Sequence, residues 1–307
     1  MKSKKIIILI PYFGKFPEWS DLFFETLKAN ATIDFYFFTD CDIEKYQSEN
    51  IKYQKISFED YITLVNKKSH LQFNPKNAYK ICDLRPLFGY IHKDIFENYD
   101  FYGWTDMDIL FGDIRSFYTD DILSKYDVLS THSIRLSGHL SLFRNNVRNR
   151  MMFKKIYKWK EALANDKFIG IDENGLINAY TLTIFDKIQQ KYNININNFL
   201  TRYISQNKIK KLYLKEQYTT PFTQIPWLDG TINSEQPNTW YYINGVITNN
   251  KDGSRSFIYL HFMNFKNSQW RHDGTKAPWE GLSSICFAEA KDIRKGIIID
   301  QSGIKRI

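Results

Sequence analysis

The sequence predicts an α/β protein: a doubly wound, mostly parallel central sheet with helices on both faces and a mixed C-terminal portion. Three observations carry this. The first aliphatic run, Ile6 to Ile10, has no polar residue, as a strand covered on both faces requires. Over roughly the first 115 residues, β-branched and aromatic runs alternate with helical periodicities. After about residue 125 that alternation gives way to short strands and helices of mixed order.

In chain order, Lys4 to Phe13 reads as a buried strand ending in the turn Pro11-Tyr12-Phe13-Gly14. Glu18 to Asn30 has helical spacing, with Trp19, Leu22, Phe23 and Leu27 on one side. Ile33 to Thr39 is a second strand that ends in Asp40, and Ile51 to Ile56 a third. A helix begins near Phe58 with Ser57 as its cap. Asn77 to Ile91 reads as a helix that Pro86 kinks or divides. The aromatic strand that follows leads into Asp106 and Asp108. Further on, Asp127 to Ser130 and His139 to Phe143 are short strands. Val147 to Ala164 reads as a basic amphipathic helix, packed on the sheet or touching a membrane. Gly175 to Tyr192 is a further helix, and Tyr241 to Ile247 with Ser256 to Phe262 a hairpin around Asn249 to Gly253. No internal repeat or linker divides the chain, so residues 1–307 are read as one domain with halves at about 1–125 and 126–307.

Composition narrows the class. The 24 Phe, 20 Tyr and 7 Trp are read first as core filling, although such rings also suit sugars and nucleobases. Cys41, Cys82 and Cys286 are odd in number and fit no metal-ligand spacing, which points to a reducing cytoplasm without disulfides. Ile6 to Ile10 is too short to span a bilayer, so the expected chain is soluble or at most peripheral. A net charge of +8 favours anionic partners; without any nucleic-acid-binding signature, the inner face of an anionic membrane fits better than nucleic acid.

The chemistry concentrates at Asp106 and Asp108. On an extended backbone residues two apart share a face, so both carboxylates converge on one ligand. Such a pair at a strand's carboxyl end suits Mg²⁺ or Mn²⁺, which neutralises a diphosphate. In doubly wound sheets ligands sit outside the carboxyl ends, where Pro11, Tyr12 and Asp40 also fall. Lys80 and Asp83, three apart on a predicted helix, form either a surface ion pair or a contact to a donor's sugar hydroxyls and phosphates; Arg85 supplies a further cation. His261 is either a core residue or a third ligand beside the aspartates, and Lys266 then reaches a phosphate oxygen. Asp172 and Glu173 complement a helix dipole, bind acceptor hydroxyls, or serve as general base in an inverting reaction. Gly138 and His139 lie in a candidate acceptor loop.

Taken together, these residues resemble GT-A-type, nucleotide-diphospho-sugar-dependent glycosyltransferases, the bacterial capsule and lipopolysaccharide enzymes in particular. The resemblance runs from Ile6-Ile7-Ile8-Leu9-Ile10-Pro11 to the His261 segment. In several such enzymes a segment with Lys, Asp and Arg precedes the metal-binding Asp-x-Asp, as Lys80, Asp83 and Arg85 do here. Retaining members also carry a late His-x-x-Gly-x-x-Lys; here His261 to Lys266 lacks the glycine and Lys falls one position early. The resemblance implies a UDP-sugar donor, a glycan or lipid-linked glycan acceptor, and a nucleotide pocket lined by Pro11, Tyr12 and Asp40. It also implies donor contact by Asp106, metal coordination by Asp108 and His261, acceptor-side acids at Asp172 and Glu173, and retention of configuration. Sugar nucleotidyl transfer is the rival among enzymes, although Pro11 to Lys15 supplies only one Gly and one Lys for a phosphate loop. A non-catalytic sugar-binding protein is the rival outside them.

Overall fold

The computed structural model describes residues 3–182, 210–217, 220, 237–270 and 274–307. The all-aliphatic first run forms β1 (Ile6–Tyr12), whose alternate residues feed two separate cores. Ile6, Ile8 and Ile10 face one side with the helix α1 (Ser20–Ala29). Ile7 and Leu9 face the other, with α2 (Phe58–Ser69) and residues 81–91. The sheet is thus sandwiched by helices, as expected. In α1, Leu22, Phe23, Phe24 and Leu27 are all fully buried, each such side chain contributing about 1.5–3 kcal/mol. Ser57 caps α2 by accepting a hydrogen bond from the Asp60 amide at 3.0 Å.

β1 pairs in parallel with β2 (Ile33–Thr39), which pairs in parallel with β3 (Ile51–Lys55); on its other side β1 pairs in parallel with β4 (Phe101–Thr105). Strand order therefore reverses between β1 and β4. A crevice opens at such a reversal outside the carboxyl ends. β5 (Ile109–Phe111) follows at once, then β6 (Val128–Ser130), β7 (Leu140–Arg144) and β8 (Leu212–Leu214). The large sheet has the order β3-β2-β1-β4-β7-β6-β8, with β7 antiparallel to both neighbours. Gly103 in β4 lies so close to β7 that a Cβ there would meet the Ser141 carbonyl oxygen at 2.3 Å.

Four sequence expectations are corrected. Asn77 to Ile91 is divided next to Pro86, as expected, but its first part is not α-helical: Ala78–Leu87 is a 3₁₀ stretch and only Phe88–Ile91 is α-helical. Val147 to Ala164 breaks into Val147–Arg150, a 3₁₀ turn at Met152–Lys155, and Trp159–Ala164, with Ile156 extended and Lys158 left-handed at φ 50°. Third, the predicted helix at Gly175 is α-helical over Leu176–Thr181; its part beyond residue 182 lies outside the described residues.

The fourth correction matters most for the site. The hairpin consists of β9 (Trp240–Ile243) and β10 (Val246–Asn249), turning at Asn244-Gly245, where both residues have positive φ. The predicted second arm meets the first through one antiparallel bridge, Ile247 to Phe257, and then continues as β11 (Tyr259–His261), which pairs antiparallel with β5. β12 (Ile297–Asp300) and β13 (Gly303–Arg306) complete a four-stranded sheet with β9 and β10. The aromatic surplus is largely core: Phe23, Phe24, Phe35, Phe37, Phe38, Trp104 and Trp240 are all at most 1% exposed.

Candidate active site

A cavity of about 1220 Å³ opens at the β1/β4 reversal. Pro11 and Tyr12 line it from the end of β1, and Asp106, Met107 and Asp108 from the end of β4. The Asp-x-Asp turn is pinned from below, where the Trp19 indole N–H donates to the Met107 carbonyl at 2.7 Å. The β5–β11 register sets His261 opposite Ile109, and the Phe262 amide donates to the Asp108 carbonyl at 3.0 Å. A residue 153 positions downstream is thereby delivered to Asp108.

One atom each of Asp106, Asp108 and His261 lie within 4.8 Å of one another. Two carboxylates and an imidazole make an oxygen-rich donor set that fits Mn²⁺ or Mg²⁺. His261 Nε2 lies 3.2 Å from Asp108 Oδ1, and Lys266 Nζ pairs with Asp108 Oδ2 at 2.5 Å. Burial would raise the Asp108 carboxyl, but Lys266 and His261 overrule it and hold it well below the usual range. Burial disfavours the Lys266 ammonium, yet Asp108 holds its pKa above the ordinary value.

Arg85 ties this cluster to a second acidic one. Its guanidinium pairs with Asp106 through one terminal nitrogen and with Asp172 Oδ2, at 3.0 Å, through the other. Asp172 is 1% exposed and its Oδ1 has no hydrogen-bond partner among the described residues. Burial pushes its carboxyl up to about 7, against the pull of Arg85 and with the help of the Glu173 charge. Glu173 pairs with Arg135 at 2.8 Å and accepts from the Gly138 amide at 3.3 Å. At Gly138 a Cβ would sit 2.8 Å from Glu173 Oε1 and 3.4 Å from Arg85, so a side chain there displaces the Glu173 carboxylate. Because that carboxylate tip can swing away, Gly138→Ala is expected to leave the melting temperature nearly unchanged. Turnover should fall about tenfold as Glu173 loses its anchor. A large loss of thermal stability with normal turnover would contradict this.

His139 stacks on His261 with centroids 4.3 Å apart, and its Nε2 has no partner among the described residues. Burial, reinforced by His261 and His132, holds its pKa well below the ordinary value. The cavity thus unites Pro11, Tyr12, Arg85, Asp106, Asp108, Gly138, His139, Asp172, Glu173, His261 and Lys266.

Three expected donor contacts are corrected. Lys80 and Asp83 are 1% and 0% exposed and pair at 2.8 Å inside the core, away from the cavity wall. Asp83 accepts from the amides of Ile169, Gly170 and Ile171, and Lys80 donates to the carbonyls of Ala162 and Lys167. They brace the segment that carries Asp172. Asp40 is exposed and accepts from the Gly14 amide at 2.8 Å, shaping the turn after β1 without lining the cavity. Sequence reasoning missed His132, Arg135 and Thr220, which do line it. No motif marks them; only the pairing of β6 with β7 and β8 brings His132 to this wall.

Two solved structures of the galactosyltransferase LgtC show similarity to the chain. One, in complex with donor and acceptor sugar analogs, is 13% identical with a TM-score of 0.32, covering 57% of this chain and 69% of that one. The other, an active-site mutant, is 10% identical with a TM-score of 0.40, covering 94% and 93%. Both similarities are weak. No curated protein matches the sequence. Residues 8–280 match a single family model, and the chain accordingly belongs to DUF6625, a family of unknown function.

Proposed function

We propose that the protein is a metal-dependent glycosyltransferase that moves a sugar from a nucleoside-diphosphate donor, UDP-linked, to a hydroxyl of a surface-glycan or lipid-linked glycan acceptor. The observation that carries this reading is the Asp106–Asp108–His261 cluster in a cavity at the strand-order reversal. In this reading residues of about 1–125 hold the donor, and about 126–307 supply the acceptor side together with His261 and Lys266.

Asp106, Asp108 and His261 hold the divalent ion, which when bound supplies Lewis-acid stabilisation of the departing diphosphate. Pro11 and Tyr12 bound the nucleotide's place in the cavity. Lys266, already beside Asp108, reaches the diphosphate oxygens and stabilises charge as the glycosidic bond to phosphate breaks. Arg85, set between Asp106 and Asp172, fixes the sugar-binding acids relative to the donor. Asp172, Glu173, Gly138 and His139 face the sugar being transferred and the incoming hydroxyl. The reading retains configuration at the anomeric carbon. No helix among the described residues is long and apolar enough to cross a membrane. In this reading the enzyme works at the cytoplasmic face of an anionic membrane, whose peripheral contact the +8 charge suits.

A thermal-shift screen of nucleotide sugars with and without Mn²⁺ tests the reading. Ligand at a hundredfold its dissociation constant stabilises the native form by about 2.7 kcal/mol, so a UDP-sugar with Mn²⁺ should raise the melting temperature by a few degrees while either alone does less. Metal-dependent release of the nucleotide diphosphate should follow. If no nucleotide sugar shifts the melt and none is consumed, the protein is not a transferase of this kind.

A further inference from the structure

We propose that His132, held by Glu216, is the general base that takes the proton from the acceptor hydroxyl; the assignment deepens the transfer reading above and rests on it. Lys215 donates to the Ser130 carbonyl at 3.2 Å and Gln217 to the Thr131 carbonyl at 3.1 Å, so the β6–β8 pairing runs on past the strands and sets Glu216 opposite His132. Both Glu216 carboxylate oxygens lie 3.4 Å from His132 Nδ1. The Ser133 amide also donates to Glu216, and the His132 amide donates to Ser130 Oγ at 3.2 Å, which fixes both partners.

A carboxylate behind Nδ1 selects the tautomer that carries its proton there, leaving the lone pair on Nε2. That Nε2 belongs to a side chain 8% exposed, in the cavity wall, and has no hydrogen-bond partner among the described residues. A buried acceptor without a partner is costly unless a ligand supplies the donor. The placement suits an incoming hydroxyl. His139 lies edge-on to His132 at 5.2 Å and stacks on His261, so one imidazole separates His132 from the acidic cluster at which the diphosphate departs.

Glu173 is committed elsewhere: it gives one oxygen to Arg135 and the other to the Gly138 amide, and such bonds stabilise its charged form and weaken it as a base. Asp172, with Oδ1 unpartnered among the described residues and its carboxyl pushed up to about 7, is the competing base, and the His132 variants decide between the two. In the step, the acceptor O–H bond breaks and its proton passes to His132 Nε2. The oxygen's electron pair forms the bond to the anomeric carbon on the face that the diphosphate leaves, as retention requires, and the anomeric C–O bond to the diphosphate breaks with its pair left on the phosphate oxygen. Glu216 stabilises the imidazolium, which then loses the proton to water.

The test uses the full chain with Mn²⁺, the UDP-sugar that stabilises it most, and an acceptor sugar the wild type glycosylates. His132→Ala should lower the transfer kcat by roughly 10²–10³-fold. Donor affinity should stay within about twofold, and added imidazole should restore part of the rate. Glu216→Gln, which keeps the shape but not the tautomer preference, should lower kcat at least about a hundredfold with little change in acceptor KM. His132→Gln serves if the alanine variant fails to fold. Transfer within about threefold of wild type in either His132 variant overturns the assignment, as does a loss that tracks donor affinity and ignores imidazole. A wild type that transfers no sugar sinks the transferase reading itself, and is seen before any variant is made.

Discussion

Asp108→Asn is expected to lower metal-dependent release of nucleoside diphosphate by about a thousandfold, roughly 4 kcal/mol of transition-state stabilisation. Asp108 faces the cavity with one oxygen toward His261 and the other on Lys266, and both neighbours point at the same shared space. An amide fills the same volume but presents no second negative charge, so a divalent ion keeps one carboxylate where it needs two. The fold should tolerate the change. Lys266 is 41% exposed in its side chain and can turn to water, so the freed ammonium adds little cost. The paired measurement is nucleotide-diphosphate release against Mn²⁺ concentration and a melting curve on the same sample. Turnover at the wild-type level, with unchanged Mn²⁺ dependence, would remove the metal cluster from the mechanism.

The largest stability effect is expected at Asp83, although it touches neither the metal cluster nor the cavity. Asp83→Asn leaves the Lys80 ammonium 1% exposed with no compensating charge. Removing one member of a buried ion pair costs about 3–5 kcal/mol. In a chain of this size that lowers the melting temperature by on the order of 10 °C. Replacing both residues by Met and Leu should not restore it. The amides of Ile169, Gly170 and Ile171 and the carbonyls of Ala162 and Lys167 would then lose their partners inside the core. Since Asp172 and Glu173 follow within a turn, turnover should fall along with stability. Calorimetry on the single and double variants decides the matter; a single variant melting within about 2 °C of wild type would show that the pair is not a structural node.

Local signals made the N-terminal half legible. The uninterrupted aliphatic run of β1, the spacing of Leu22, Phe23 and Leu27, and the Ser57 cap each act within a few residues, and each formed as expected. The convergence of Asp106 and Asp108 at the carboxyl end of β4 was likewise expected, although both lie in the bend after Thr105 and not on the strand itself. Long-range pairing was not. Asn249 to Gly253 is a dense cluster of turn residues and drew the hairpin to itself, whereas the shorter signal Asn244-Gly245 makes the turn. Nothing local shows that Tyr259–His261 pairs with β5. Lys80 and Asp83 misled for another reason: charged residues are seldom fully buried, and only the backbone groups gathered around them explain why these two are. His132 and Glu216 stand alone in sequence, and meet because β8 lies beside β6.

The β5–β11 pairing also orders events during synthesis. A chain emerging from the ribosome with its first 250 residues exposes both aspartates but lacks the His261 imidazole that completes the cluster, because Tyr259–His261 is still to come. Assembly of the three-residue cluster is therefore a late milestone of maturation, reached only when the distal third threads its short strand against the proximal one. Truncated products would carry an acidic rim without its third side chain.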